Sequence, residues 1–453
     1  MPLIAGSIRD NLLYPLQRQP LQPAAYSDDA QRLFEERCAE AEKTGNSSSD
    51  PYANWTDYAA AGVTDECGLT ERVLQLLDQV ELSQDMFSLG LRQSIDPDRH
   101  PKLAARILEA RRQFGRRLGE KGLRGLVESF HPERYNRNMS VAENILFGTP
   151  VGPTFDPEHI AENPYLRRIL DRLDLTDEMI EIGFRVAKVM IDLFRDIPPG
   201  HEAFERFSFI SADDLPEVQS CVRRVESESL SEADDEDRMM LLSLPFKLIA
   251  NRHRLGLNLR EAGIGERFLA ARAAFMTDLP ADLAGSIAFF DPNAYNAPAS
   301  IEDNILFGKV TYGRPQARRQ ISALLAEIVD SLDLRREIAD QALNFEVGIG
   351  GSRLSAVQRQ KIALARACLK RPDLLILDRA LDAFGPAARE SVMARLMAES
   401  GELGIIFVAS PGGEPRGFDR RITMEAGKVT EHKALAAPDA PATDPSTAGI
   451  GLA

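Results

Sequence analysis

Residues 346–378 read EVGIGGSRLSAVQRQKIALARACLKRPDLLILD, and the reading of this stretch decides the fold. Behind Leu354-Ser355-Ala356-Val357-Gln358 a helix is expected through about Lys370, with Ile362, Leu364 and Ala365 on its way. Asp373–Asp378 (DLLILD) is a short apolar run closed by a carboxylate, the pattern of a buried parallel strand. Working downstream, Pro386 opens a helix to about Glu399. Gly404–Ala409 (GIIFVA) is a second buried strand, and Arg421–Glu425 and Lys428–Glu431 form a hairpin about Ala426-Gly427. Working upstream, Pro315 stands in the first turn of a helix whose apolar stripe is Ile321, Leu324, Leu325, Ile328, Val329 and Leu332. Strand, helix, strand order predicts an α/β core.

Further upstream one short segment recurs: Gly6–Pro15 (GSIRDNLLYP), Met139–Gly148 (MSVAENILFG) and Ala299–Gly308 (ASIEDNILFG). In each, Ser precedes an acidic residue by three positions, a helix N-cap pattern, so each should open a short helix. The last two copies extend further. Leu89-Gly90-Leu91 matches Leu255-Gly256-Leu257, Leu103–Arg106 matches Leu269–Arg272, and Phe130, Pro132, Tyr135 and Asn136 match Phe290, Pro292, Tyr295 and Asn296. A module of about 60 residues, near 86–148 and 252–308, is therefore read as duplicated, too few copies for a solenoid. Residues 157–250 between the copies read as helical, with Met179, Ile182, Val186, Val189, Met190 and Leu193 as a core stripe. Residues 42–57 read as a polar loop, and 434–453, rich in Ala, Pro, Thr and Gly, as a disordered tail.

The formal net charge of −15 argues against bulk attraction to nucleic acid or to an anionic membrane surface. The basic run Arg111, Arg112, Arg116, Arg117 and Lys121 is read as a solvated helix face. The four cysteines, Cys38, Cys67, Cys221 and Cys368, lack metal spacing and are read as reduced structural thiols. No apolar run approaches the roughly 20 residues that span a bilayer, so direct membrane insertion is not expected. MPLIAGSIRDNLLYP does not have the form of an export signal.

In order and residues, the chain from 300 to 431 resembles the ATPase domain of exporter-type ABC transporters. That family has a GSIRDNI-type segment, a helical subdomain, a TEVGE-like loop, LSGGQ at a helix start, a strand ending Asp-Glu, and a histidine after the next strand. Here Leu354–Gln358 stands for LSGGQ, and Gln358-Arg359-Gln360-Lys361 and Ile362–Ala367 follow the family closely. The resemblance implies that Ser355 and the helix start contact the γ-phosphate of ATP held by an opposite subunit, together with Ala356, Val357 and Gln358. Ala356 and Val357 replace glycines, and a β-branched Val is expected to crowd that approach. Asp378 would hold Mg²⁺. The catalytic glutamate position is Arg379, whose guanidinium cannot accept a proton. Gly385 stands at the D-loop aspartate, and Ser410 at the histidine, where it cannot titrate.

No G-x-x-x-x-G-K-[ST] occurs in the sequence, and the resemblance opens at Met1 already past that phosphate loop. Either a longer ATPase has been truncated, or the chain is a natural pseudo-ATPase half that works beside a competent partner. The expected fold is thus α/β, a P-loop NTPase-like ABC ATPase core lacking its phosphate-loop strand, with a large, mainly α-helical insertion. Residues 1–15 are the segment after the glutamine loop, 16–299 the insertion, 300–433 the C-terminal part of the ATPase domain and 434–453 the tail. By resemblance the cofactors are ATP and Mg²⁺, weakly held or not held by the isolated chain. The partners are a transmembrane domain and a second ABC ATPase domain, and the site is the cytoplasmic face of a membrane. The loop Asn344–Gly351 (NFEVGIGG), with Ile349 at an acidic position of the family, is a candidate contact for the membrane partner. Two alternatives remain: a non-transport scaffold or interaction protein, and a chromosome-maintenance-type ATPase, whose insert should carry sustained heptads.

Overall fold

Residues 2–195, 197, 201, 208–211, 213–230, 232–253, 263–399, 403–409 and 416–435 are described by a computed structural model. Ser410, Leu255-Gly256-Leu257 and residues 436–453 of the expected tail lie outside the described residues. The chain divides into two units, Met1–Gly90 with Ile338–Ala453, and Leu91–Glu337.

Unit 1 begins with α1 (Ile8–Leu13), opened by a capping box in which Ser7 and Asp10 satisfy each other's backbone N–H. An irregular antiparallel pair, β1 (Gln17–Gln22) and β2 (Asn54–Thr56), flanks α2 (Asp28–Thr44). The expected polar loop 42–57 is therefore shorter, with its first residues in α2 and three near its end in β2. Then come α3 (Glu66–Gln79), capped by Asp65, and α4 (Ser83–Leu91). The core gathers Ile8, Leu12, Leu69, Leu76, Val347, Ile362, Ala365, Leu369 and Leu377 from both ends of the chain.

The C-terminal part of unit 1 holds α15 (Ala356–Leu369), β7 (Leu374–Asp378), α16 (Pro386–Glu399) and β8 (Gly404–Val408). β7 and β8 are parallel, with Ile376 opposite Ile406. The expectation of fully buried strands is corrected on one face. Leu375 and Leu377 are buried, but Leu374, Ile376, Ile406 and Val408 are 51%, 61%, 50% and 49% exposed. Parallel sheets bury both faces only when helices lie on both sides, and here the described helices cover one. β9 (Arg420–Glu425) and β10 (Lys428–Ala434) form the expected hairpin, with left-handed Ala426 and Gly427 at its turn.

Unit 2 contains α5 (Pro101–Glu120), β3 (Val127–Ser129), α6 (Val141–Leu146), β4 (Gly148–Pro150) and α7 (Pro164–Arg172). It continues with α8 (Thr176–Phe194), α9 (Leu215–Glu228), α10 (Asp235–Phe246) and α11 (Ile264–Thr277). Last come β5 (Ile287–Phe289), α12 (Ile301–Leu306), β6 (Gly308–Val310), α13 (Ala317–Ser331) and the first residues of α14 (Arg335–Gln341). Ser140 and Ser300 cap α6 and α12, as their sequences predict. The stripe on α8 is buried at Met179, Ile182, Val186 and Met190, whereas Leu193 turns out 56% exposed. α8 and α10 approach so closely that a Cβ on Gly183 would stand 1.9 Å from the carbonyl oxygen of Leu241.

The two copies in unit 2 meet reciprocally. β3 pairs with β6 and β4 with β5, both antiparallel. Phe130 stacks on Phe290 with ring centroids 4.1 Å apart, and Phe147 and Phe307 stand edge-on to the stack. Contacts also correct the register of the repeat. Arg272 bonds the carbonyls of His131, Pro132, Arg134 and Asn144 and lies over Phe147; Arg111 bonds those of Asp291, Pro292, Ala294 and Asn304 and lies over Phe307. The counterpart of Arg272 is therefore Arg111, not Arg106, because matching Leu-Ala-Ala-Arg by letters slips the helix by more than a turn. Burial lowers both guanidinium pKa values to about 10. The basic run is also revised. Arg111 is buried, Arg112 and Arg116 face Glu109, and Arg117 and Lys121 clasp Glu327 at 2.7 and 2.5 Å.

Candidate functional site

The candidate residues of unit 1 gather about the start of α15 and the end of β7. Leading into α15 is a loop in which Gly348, Gly350 and Gly351 all have positive φ, 76°, 61° and 77°. Gly351 needs to be glycine also for space, since a Cβ there would come within 2.8 Å of Arg359. The loop is tied to the N-terminal segment. Val347 N–H donates to Gly6 at 2.9 Å and Ile8 N–H to Phe345 at 3.0 Å, and Ser7 bridges Glu346. Val347 is fully buried beneath it, and Ile349 at its tip is 86% exposed.

Ser355 is the N-cap of α15 in extended conformation. Its hydroxyl accepts from the Gln358 N–H at 3.2 Å, and the Gln358 carboxamide oxygen accepts from the Ser355 N–H at 2.9 Å. This capping box uses the hydroxyl as acceptor and leaves its proton available to a ligand. The Gln358 amide nitrogen donates to Asp85 at 2.7 Å, fixing the cap against α4. Ala356 is exposed. Val357 is half-buried and packs against the core of the unit.

At the other end of the site, Asp378 is the exposed last residue of β7, opposite Val408. Arg379 follows in left-handed conformation, φ 51°, and is also exposed. Sequence reading missed the residue that connects the two ends. From α15, Gln360 donates to the Arg379 carbonyl at 3.3 Å and accepts from the Ala383 N–H at 2.9 Å. A carboxamide can do both at once through separate donor and acceptor atoms, and that is the sequence signal it gives. Gly385 is exposed with open space about it, before α16. Among the described residues no group of three His, Cys, Asp or Glu side chains gathers as for a metal ion, so Asp378 offers a single carboxylate. On the inner side of α15, burial pushes the Cys368 thiol up to about 11, in keeping with a structural thiol. All four cysteines are free.

This arrangement can present a helix start, with a serine hydroxyl and unpaired N–H groups, to an anion from outside the unit. No G-x-x-x-x-G-K-[ST] stretch occurs in the sequence as given.

Part of the chain is similar to curated proteins. It is 30% identical over 153 residues to an ATP-dependent lipid A-core flippase of Xylella fastidiosa, covering 34% of this chain and 25% of that protein. It is 38% identical over 134 residues to the flippase of the same name from Neisseria meningitidis, covering 28% and 21%. It is 37% identical over 137 residues to the heterocyst differentiation ATP-binding protein HepA of Nostoc, covering 29% and 21%. The matched stretch spans a quarter or less of the length of these relatives. No protein-family profile matches the chain, and no solved structure does.

Proposed function

We propose, from homology over part of its length to ABC transporter ATP-binding proteins, that this chain is an ATP-binding-subunit-like component of an ABC-type membrane transporter, and that it does not hydrolyse ATP by itself. The observation that carries the reading is the capped helix start at Ser355, set in a stretch whose Gln358–Lys361, Ile362, Leu364, Ala365, Arg366 and Ala367 follow the family closely. In this reading the chain is the later part of an ABC ATPase core without its phosphate-loop strand, interrupted by a large helical insertion. A second ABC ATPase domain holds ATP, and this chain offers the Ser355 hydroxyl, the Ala356 and Val357 amides and Gln358 in trans. Bound Mg²⁺ would neutralise phosphate charge, and Asp378 is the carboxylate that would face it. Arg379 cannot act as a proton acceptor, and Ser410, at the histidine position, cannot titrate. Among the described residues no helix is long and apolar enough to cross a membrane, so a separate transmembrane domain is proposed as partner, with this chain at its cytoplasmic face.

The test is Mg-ATP turnover and nucleotide binding by the purified chain. Neither should be measurable at physiological nucleotide concentration. Turnover that disappears in Asp378→Asn would overturn the reading. A second reading, a non-transport scaffold, is favoured by unit 2, whose buried arginines are committed to holding its own loops. Affinity capture from membrane and soluble fractions separates the two. Recovery of transmembrane proteins supports the transporter, and recovery of soluble proteins alone supports the scaffold.

A further inference from the structure

α5, α11 and α15 each carry a pair of cations five residues apart that bonds backbone carbonyls elsewhere: Arg106 and Arg111, Arg267 and Arg272, and Lys361 and Arg366. The first cation of each pair reaches a carbonyl at the end of another helix. Arg106 bonds Asp333 at 3.1 Å, Arg267 bonds Asp174 at 2.8 Å, and Lys361 bonds Glu81 at 2.7 Å. All three acceptors sit in the same unusual backbone state, with φ of 48°, 51° and 58°. Each is the sixth residue of a similar stretch: Leu76–Leu82 (LLDQVEL), Ile169–Leu175 (ILDRLDL) and Ile328–Leu334 (IVDSLDL).

The second cation reaches the segment about a Ser-capped short helix. Arg111 bonds the Asn304 carbonyl and side chain at 2.7 and 3.0 Å, and Arg272 those of Asn144 at 2.6 and 2.9 Å. Arg366 bonds the Pro2 carbonyl at 3.3 Å, two residues before Ile4, the backbone partner of the equivalent Asn11. The three asparagines are buried and wired alike. Asn11 closes a ring with both backbone groups of Ile4, Asn144 with those of Asn136, and Asn304 with those of Asn296. The residue after each capping serine donates its N–H to a third strand of chain: Ile8 to Phe345, Val141 to Leu248, Ile301 to Gln93.

Sorting these contacts by partner gives three lobes. One contains Asn144, Asp174, Leu248, Arg267 and Arg272, all from the middle of the chain in sequence order. The second combines Asn11 and Glu81 with Phe345, Lys361 and Arg366. The third combines Asn304 and Asp333 with Gln93, Arg106 and Arg111. We infer that the chain carries three copies of one helical lobe, and that the first and third copies have exchanged their C-terminal halves: α5 of the first completes the third, and α15 of the third completes the first. The exchange falls within α4 and α14, between Glu81 and Gln93 and between Asp333 and Phe345, where the two units divide. At this place Gly90 lies as close to Ile338 as Gly183 does to Leu241 in the unexchanged copy, a Cβ in either standing 1.9 Å from the facing carbonyl oxygen.

The exchange assigns work to each copy. α15 alone among the three starts on a serine cap; α5 starts behind His100 and α11 behind Gly263, neither with a side-chain cap bond. The helix start that presents Ser355 is thus built on residues 2–13 and 66–82, from the opposite end of the chain, while the other two copies are retained as architecture.

Hydrogen–deuterium exchange on the full chain tests this in wild type, Arg111→Met, Arg272→Met and Arg366→Met. Arg111→Met should speed amide exchange roughly tenfold or more in 291–306 and leave 2–12 unchanged. Arg366→Met should do the reverse, and Arg272→Met should open 131–146. Opening of 2–12 by Arg111→Met, or of 291–306 by Arg366→Met, would overturn the exchange. Should a variant not fold, zero-length carbodiimide cross-linking of the wild-type chain decides, because Lys121 and Glu327 lie 2.5 Å apart across the proposed junction of first and third copies. A link within one chain is expected. A link found only between chains, or none, would overturn the inference. Neither readout depends on nucleotide or on the transporter reading.

Discussion

Phe130 and Phe290 in unit 2 stack at 4.1 Å and are walled in by two more rings; Ile376 and Ile406 in unit 1 pair across parallel strands and stay 61% and 50% exposed. Both pairs are large and apolar; Ile376 and Ile406 lie on strands, and Phe130 and Phe290 directly follow β3 and β5. The difference is that unit 2 surrounds its rings with Met139, Phe147, Met276 and Phe307, whereas the described part of unit 1 supplies helices to one side of β7 and β8 only. Apolar residues on a strand are satisfied by what lies across the sheet, and the strand itself does not provide it.

The contrast can be broken by mutation. Phe130→Ala removes a ring from the centre of unit 2 and should cost about 4 kcal/mol, seen as a lowered denaturation midpoint for that unit. A cost below about 1 kcal/mol would show the stack to be loose. Within β7 the two faces should separate. Leu377→Ala is expected to cost about 3 kcal/mol and Ile376→Ala under about 0.5 kcal/mol, by urea unfolding. Equal costs would mean that the open face is covered in solution. Gly183→Ala and Gly90→Ala should each cost about 2 kcal/mol, the first in unit 2 and the second in unit 1, since in each the new methyl meets a backbone carbonyl that cannot turn away. At the site itself the effect is more modest than in the cores. Ser355→Ala loses the cap of α15 and should cost about 1 kcal/mol, with faster amide exchange confined to its first turn.

Much of the site was legible in sequence because it is local. The three serine caps need only a hydroxyl and a backbone N–H three residues on, and all of them form. α15, β7, α16 and the hairpin fall where their patterns place them. Gln360 was not legible, because its value lies in the turn it meets 19 and 23 residues later. The three-residue strands of unit 2 were missed as well, being too short to show alternation. Arg111 was misread as solvated because a buried arginine whose partners are carbonyls, 180 to 193 residues away, has no carboxylate nearby in sequence to announce it.

The sequence alone determined the helices and their caps, and that Arg379 follows the carboxylate closing β7, since each depends on residue identity within a few positions. Only the tertiary structure decided which copy of the repeat completes which lobe, and which face of β7 stays open. Those outcomes rest on backbone carbonyls and packing surfaces, and every residue has a carbonyl. Until the chain is folded, nothing in its letters distinguishes the carbonyl of Asp291 from that of His131 as the one Arg111 will find.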